Sequence, residues 1–469
     1  DRRQIGGKAH SLARLAFAGV KIPGTYVLPS DVYTRFIDST SLSQKIMVEL
    51  SRKDFSEMRW EEMWDAALRI RNLFVNTPLP EDLRSELLLE LSARFSNKPL
   101  VVRSSALWED GSNASFAGLH ESFVNVKGVT NILEQIKLVW ASLWSDKALM
   151  YRAELGLDVE ASAMAVVLQE LVEGEKSGIV FSKSPDENPH SIIECVYGLN
   201  QGLVDGTVSP DRWIFSNVSN DLLQFHAASR DERLIKDSEG GTRIAKLSPD
   251  QMQTPPLTSD ELHEVYRLGQ FCEALFNSPQ DVEWTYRLEE LFTLQSRPIT
   301  TLRNDPSDQR IWYRSLVRTF ENLKELRTKI SAELIPGMIE AADIPVEENL
   351  DQKRDTELAD EILRRNEIVQ KWTDIYWQYF IPFAHGIRLF GQFYNDSIKP
   401  EDPYEFMSLL GQTNMLSLER NEFLRNLALQ RKKIQGSDLS HTSASSRNEL
   451  KPAGISQQWQ DWLSQFSEG

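Results

Sequence analysis

The stretch PQDVEWTYRLEELFTLQSRPIT, residues 279–300, decides how this sequence folds. Val282-Glu-Trp-Thr-Tyr286 and Leu291-Phe-Thr-Leu-Gln295 are rich in β-branched and aromatic side chains, and the polar Arg287–Glu290 between them supplies a turn. The pair predicts a β-hairpin. Strand side chains alternate, so Glu283 and Thr285 share a face of one strand, and Thr293, Gln295 and Arg297 share a face of its partner. Oxygen ligands on neighbouring strands suit Mg²⁺, and an arginine one pleat further on could neutralise phosphoryl charge. On spacing alone, a surface hairpin with a cross-strand polar pair fits equally well.

Upstream of the hairpin, short apolar segments alternate with helical periodicity. Pro99-Leu-Val-Val-Arg103, FVNVKGV, Ala163–Gln169, Gly178–Phe181 and Ile192–Val196 read as strands. Leu12, Leu15 and Ala16 share one helical face after Gly6-Gly7, with Gly19 placed to end that helix. Residues 58–95, broken by Pro78 and Pro80, the segment through Ile132, Ile136, Val139 and Leu143, and residues 258–276 also read as helices. This mixture indicates an α+β or α/β architecture.

Downstream the strand signal vanishes. The polar TLRNDPSDQR, residues 301–310, reads as a linker. Residues 311–432 read as all-helical, with Leu358, Ile362, Arg365, Ile368, Trp372, Tyr376 and Tyr379 on a helical period. Residues 433–469 form a polar, Ser-rich tail ending in a short Trp-bearing helix. The aromatic run Trp372, Tyr376, Trp377, Tyr379 and Phe380 is expected to be helix-bundle core.

Composition narrows the function. The 469 residues carry 52 basic and 69 acidic side chains, a formal charge of −17, which argues against nonspecific nucleic-acid binding but not against a local anion pocket. Two cysteines, Cys195 and Cys272, point to no disulfide framework or thiolate metal site, so a cytoplasmic compartment is expected. No run approaches the ~18–20 apolar residues of a membrane span, and DRRQIGGKAH lacks the apolar core of a signal peptide. The chain opens on Asp1 rather than methionine, so sequence before Asp1 and after Gly469 is expected. The seven histidines show no HxxxH or HExxH spacing, which argues against zinc.

Two further segments could meet a phosphate. Gly6-Gly7-Lys8 is not a P-loop, because Ala9 stands where Ser or Thr is required, but glycines before a helix can turn backbone N–H groups toward an anion. A plain helix-entry turn with a solvated lysine explains the same residues. Arg103, followed by Ser104 and Ser105 at a strand end, could grip a phosphate, and Ser115-Phe-Ala-Gly118 could close over it. A surface ion pair is the competing reading of Arg103.

Taken together, these pieces resemble the nucleotide-binding part of the phosphoenolpyruvate synthase and pyruvate phosphate dikinase family. The resemblance runs in order through IGGKAHSLARL (5–15), VVRSSALWEDGSNASFAGLHESFVNV (101–126), VVLQELVEGEKSGIVFS (166–182), GLNQGLVDGTVSPD (198–211) and residues 279–300. It implies an ATP-grasp-type fold over residues 1–300, clamping Mg²⁺ and ATP between two α+β subdomains. It also implies that Lys8 and Arg103 contact phosphates, that Ser115 to Gly118 cover them, and that Gln169, Glu170, Leu171 and Val172 border adenine and ribose. Glu283 and Gln295 would hold Mg²⁺, and Arg297 would stabilise the transferring phosphoryl group, with Lys8 and Arg103 sharing the catalytic work.

Three departures matter. The family usually has Gly-Leu-Gly-Glu where this chain has Gly198-Leu-Asn200-Gln201, so a carboxylate is lost at position 201. The family's phosphate-carrying histidine motif is absent, and Ser440-His441 lacks its glycines. Residues 301–469 are also too few and too helical for a pyruvate-binding (β/α)₈ barrel of about 250 residues. The expectation is therefore an ATP-dependent phosphotransferase whose acceptor histidine lies in further sequence or on a partner, acting finally on pyruvate or another small acceptor. The alternatives are a rifampin phosphotransferase-like or phenylphosphate synthase-like kinase, or a non-catalytic ATP-binding regulatory subunit.

Overall fold

The computed structural model describes residues 1–53, 58, 60–95, 98–106, 110–111, 114–115, 120–154, 163–184, 190–299, 320–343 and 353–410. The expected linker over 301–310, the polar tail over 433–469 and the loop Phe116–Gly118 lie outside the described residues. The chain divides into two compact units, Asp1–Tyr404 and Glu405–Gly469. In the second, the described residues contain one short helix, Met407–Leu410.

The first half of the large unit runs α1 (Arg2–Phe17), β1 (Thr25–Leu28), α2 (Ser30–Ser39), α3 (Leu42–Leu50), α4 (Trp60–Asn76), α5 (Glu81–Phe95) and β2 (Leu100–Ala106). The two-residue strands β3 (Asp110–Gly111) and β4 (Ala114–Ser115) follow, then β5 (Ser122–Val126), α6 (Val129–Ser142), α7 (Asp146–Glu154) and β6 (Met164–Glu170). Strands β1, β6, β2 and β5 form an antiparallel sheet in that order. One of its faces joins α2 to α6 in an apolar core around Phe36, Phe74, Trp140, Val102 and Leu168.

The second half contains β7 (Lys176–Phe181), β8 (His190–Tyr197), α8 (Gln201–Val204), β9 (Asp211–Ser216), β10 (Leu222–His226), β11 (Glu232–Lys236) and β12 (Thr242–Lys246). It ends with α9 (Pro249–Gln253), α10 (Ser259–Phe276), β13 (Gln280–Arg287) and β14 (Glu290–Pro298). A second antiparallel sheet has the order β10-β9-β8-β7-β13-β14, and β11–β12 form a separate ribbon. Its core packs Val180, Trp213, Phe215, Val282 and Trp284 against Val265 and Cys272 of α10. Thr258 caps α10 in a reciprocal capping box with Glu261, which fixes where that helix begins.

Helix α1 belongs to both halves. Ala9 and Leu12 pack with Val167 of the first sheet, while Leu15 joins the core of the second. The expected helix is entered at the glycines, and a short helical turn from Arg2 precedes it. The two are separated by a kink at Gly6, whose φ is +75°. A Cβ there would lie 2.0 Å from the Ser105 carbonyl oxygen, so glycine permits both the left-handed φ and the close approach to β2.

The described helices beyond the hairpin are Phe320–Lys329, Ile335–Asp343, Asp355–Ile375 and Ile381–Ile398, with π-helical turns at Ile330–Leu334 and Tyr376–Phe380. Buried Arg71 of α4 pairs with Asp396 of the helix Ile381–Ile398 (2.7 Å), which ties that helix back, and with Glu121 just before β5 (2.9 Å). The aromatic run expected as bundle core is not buried. Among the described residues, Trp372, Trp377, Tyr379 and Phe380 are half-buried and Tyr376 is exposed. Among the described residues, no helix is long and apolar enough to cross a membrane.

Candidate functional site

The sequence hairpin forms as expected, with Leu288 and Glu289 at positive φ in its tight turn. Its register sets Glu283 opposite Gln295 and Asp281 opposite Arg297. A β-bulge then falls between Glu283 and Trp284, so Trp284 pairs with Thr293. The bulge corrects one expectation: Thr293 does not share the cleft face with Gln295, and Leu294 lines the cleft instead. The Leu294 carbonyl, turned toward the first sheet, accepts a hydrogen bond from Gln169 Nε2 at 3.3 Å.

A cleft of about 260 Å³ lies between the two sheets. Lys8, Arg103, Gln169, Glu170, Leu171, Val172, Glu283, Gln295 and Arg297 all line it. Of the candidate residues, Ser115 is described only through its backbone pairing with Asp110, and Gly118 lies outside the described residues.

Each side chain is held by its own element. Lys8 Nζ donates to Ser104 Oγ at 3.1 Å. Ser105 Oγ accepts from Ala9 N–H and donates to the Ile5 carbonyl, which pins the kinked start of α1 to β2. The three residues Arg103-Ser104-Ser105 thus have different tasks, and two of them place the helix that carries Lys8.

Arg103 reaches across the cleft. Its Nη1 donates to Glu283 Oε2 at 3.2 Å and to Gln295 Oε1 at 3.0 Å, while its buried Nε has no hydrogen-bond partner. Burial opposes ionisation of Glu283, but Arg103, Arg297 and Lys8 outweigh it and hold the carboxyl below its ordinary value. Arg297 is clasped by Asp281, with Nε 2.7 Å from Oδ2. Burial pushes the Asp281 carboxyl up, against the pull of Arg297. At the rim, Glu170 pairs with Lys98 at 2.5 Å, and the Leu171 N–H already donates to the Pro99 carbonyl.

Three contributors escaped the sequence reading. Asp281 stands two residues before Glu283, so strand alternation could have placed it on the same face. His120 lines the cleft with its Nδ1 3.3 Å from the Ser142 carbonyl oxygen. Asn200 donates from Nδ2 to Glu283 Oε2 at 3.2 Å, a contact across 83 residues that no local pattern announces.

The donor set fits a hard cation. A carboxylate and an amide oxygen already share one positive group, and Asp281 Oδ1 and Asn200 Oδ1 are buried acceptors without partners. Among the described residues, no three His, Cys, Asp or Glu side chains converge on one point. That suits Mg²⁺, which commonly takes one or two protein ligands and completes its shell with phosphates and water.

Residues 2–315 match the family described as pyruvate phosphate dikinase, AMP/ATP-binding domain. The chain belongs to this family. Among curated relatives, this pyruvate phosphate dikinase-type ATP-binding chain is 33% identical over 313 residues to a probable phosphoenolpyruvate synthase of Methanocaldococcus jannaschii, covering 65% of this chain and 26% of that one. It is 33% identical over 335 residues to the phosphoenolpyruvate synthase of Aeropyrum pernix, covering 63% and 40%. It is 32% identical over 301 residues to the rifampicin phosphotransferase of Bacillus cereus, covering 64% and 34%. The chain therefore spans between about a quarter and two fifths of the length of these relatives. Among solved structures it overlaps slightly with the D-alanine–D-alanine ligase of Helicobacter pylori, at 9% identity and a TM-score of 0.27, over 63% of this chain and 55% of that one.

Proposed function

We propose that this chain is the ATP-binding part of a kinase-type phosphotransferase, and that its two-sheet cleft works as an ATP-grasp-type clamp on Mg²⁺ and ATP. The observation that carries the reading is Arg103 Nη1 within 3.2 Å of both Glu283 and Gln295, a positive group already held by the oxygens assigned to the cation. Glu283 and Gln295 would hold Mg²⁺, which when bound supplies positive charge beside the phosphates. Lys8 and the unused Nε of Arg103 would meet phosphate oxygens, for which a guanidinium is a good geometric match. Arg297, steadied by Asp281, would stabilise charge on the transferring phosphoryl group. Gln169, Glu170, Leu171 and Val172 would border base and ribose, and Ser115 to Gly118 would cover the phosphates.

The phosphoryl group would pass to a histidine carrier outside the described residues or on another chain, in a cytoplasmic setting. From there it would reach pyruvate or another small acceptor. Identity to the phosphoenolpyruvate synthases and to the rifampicin phosphotransferase is nearly equal, at 33% and 32%, so the nucleotide cleft favours neither acceptor. A purely regulatory subunit is the weaker reading, because Lys8, Arg103, Glu283, Gln295 and Arg297 are all present around one cleft.

Calorimetric titration of the full chain with ATP, with and without Mg²⁺, tests this. Glu283→Ala and Gln295→Ala should each weaken Mg²⁺-dependent binding at least about tenfold, equivalent to about 1.4 kcal/mol. Unchanged affinity in both variants would remove the cation site from the proposal.

A further inference from the structure

Asparagine is a favoured helix N-cap, and Asn200 stands at the N-cap of α8. Its side chain makes no capping bond there. It turns into the cleft instead and donates from Nδ2 to Glu283 Oε2 at 3.2 Å. A carboxylate only accepts, so the amide nitrogen must be the atom facing Glu283. The residue is 6% exposed, and its Oδ1 has no hydrogen-bond partner. A buried acceptor left without a partner is unfavourable unless something arriving in the cleft satisfies it.

We infer that Asn200 Oδ1 is a third oxygen donor to the divalent cation, beside Glu283 and Gln295; this rests on the cation site proposed above. Three features favour a cation over a hydroxyl of the nucleotide. The orphan oxygen belongs to an amide in contact with Glu283. Glu283 and Gln295 already share a positive group, Arg103 Nη1, at this place in the cleft. The other nearby carboxylate, Asp281, is engaged by Arg297 through Oδ2 and does not line the cleft, so Glu283 is the carboxylate offered to the cation and further protein donors there would be neutral oxygens. Neutral amide oxygens are ordinary ligands for hard cations, and a third would raise the selectivity of the site for a metal over a second arginine-like group.

The probe is Mn²⁺ with ATP, measured by calorimetry on the full chain beside ATP in excess EDTA, with the melting temperature of each variant recorded. Asn200→Asp replaces the neutral donor by a charged one and should tighten Mn·ATP binding at least about threefold. Asn200→Gly removes the donor and should loosen it at least about threefold, leaving metal-free ATP affinity unchanged. If Asn200→Asp instead weakens Mn·ATP binding, the side chain only steadies Glu283 through Nδ2, and the inference is wrong. If Asn200→Gly weakens ATP equally with and without Mn²⁺, Oδ1 meets the nucleotide, and the inference is again wrong. Should Asn200→Asp fail to fold, Asn200→Gly still overturns the inference if its Mn·ATP affinity equals that of the wild type. Glu283→Gln separates the two levels. Loss of Mn²⁺ dependence there, with no change in either Asn200 variant, overturns only the third donor. No Mn²⁺ dependence in the wild type overturns the cation site and the third donor with it.

Discussion

The two walls of the cleft are built differently. The wall on the first-sheet side presents Lys8 of α1 and Arg103 of β2, and the second-sheet wall presents the oxygens of Glu283 and Gln295 beside Arg297. The first is assembled by close backbone approach, with Ser105 binding the start of α1 from β2. The second is set chiefly by strand register. A wall made of packing should fail when a methyl group is added, whereas a wall made of register should fail when a charge is removed. The predictions set those two modes of failure against each other.

The largest effect on stability is expected where the walls touch. Arg103→Met leaves Glu283 buried without its principal ion partner, and breaking such a pair costs about 3–5 kcal/mol. Arg297 and Lys8 also favour the Glu283 carboxylate, so the lower end of that range is expected. The double variant Arg103→Met, Glu283→Gln should recover much of the loss, because no charge is then stranded. Urea unfolding of the four proteins in the cycle measures this. A double variant as unstable as Arg103→Met would show that the arginine serves packing rather than pairing.

Next comes the packed wall. Gly6 and Gly19 both have positive φ, +75° and +82°, but a Cβ at Gly6 meets the Ser105 carbonyl and one at Gly19 meets nothing within 4 Å. Gly19→Ala should cost about 1 kcal/mol for the backbone alone, and Gly6→Ala about 2 kcal/mol more for the clash. Equal losses would mean that α1 can lift from β2 freely. The Lys8 to Ser104 contact would then not be a fixed part of the site.

The acid response should separate the two carboxylates of β13 by sign. The folded-state pKa of Glu283 is depressed, so its ionised form adds stability that is present above its ordinary value of 4.5 and lost as pH falls through the folded value. Asp281 is shifted the other way by burial, and its contribution declines as pH rises. The stability difference between wild type and Glu283→Gln should therefore shrink as pH drops below 4.5. A difference that is constant with pH would place the value of Glu283 in its shape, not its charge.

What the sequence made legible follows the same division. Register is a local property, so alternation within residues 279–300 sufficed to put Glu283 and Gln295 together. It failed by one step, at Thr293, because a bulge leaves no signature in an apolar run such as Leu291-Phe-Thr-Leu. The roles of Ser104 and Ser105 depend on a helix some 96 residues away, and that of Asn200 on a strand 83 residues away. Such contacts are fixed by how the two sheets meet, which no periodicity encodes. The family motifs pointed to Lys8 and Arg103 without saying that Arg103 bridges the cleft.

The smallest effect is expected deep behind the register wall. Cys195 on β8 and Cys272 on α10 are both fully buried in the second core. Burial pushes the Cys272 thiol up to about 12, and it drives Cys195 well above its ordinary value too. At pH 8 the thiolate of Cys272 is then about one part in 10⁴, and only the thiolate reacts readily. Iodoacetamide should label neither cysteine in the native chain on a timescale that labels both completely in urea, and saturating Mg·ATP should leave native labelling unchanged. Fast native labelling of Cys195 would mean that β8 opens from its neighbours β7 and β9. The second wall would then be held by more than its register, and suppression of that labelling by Mg·ATP would identify the nucleotide as the missing part.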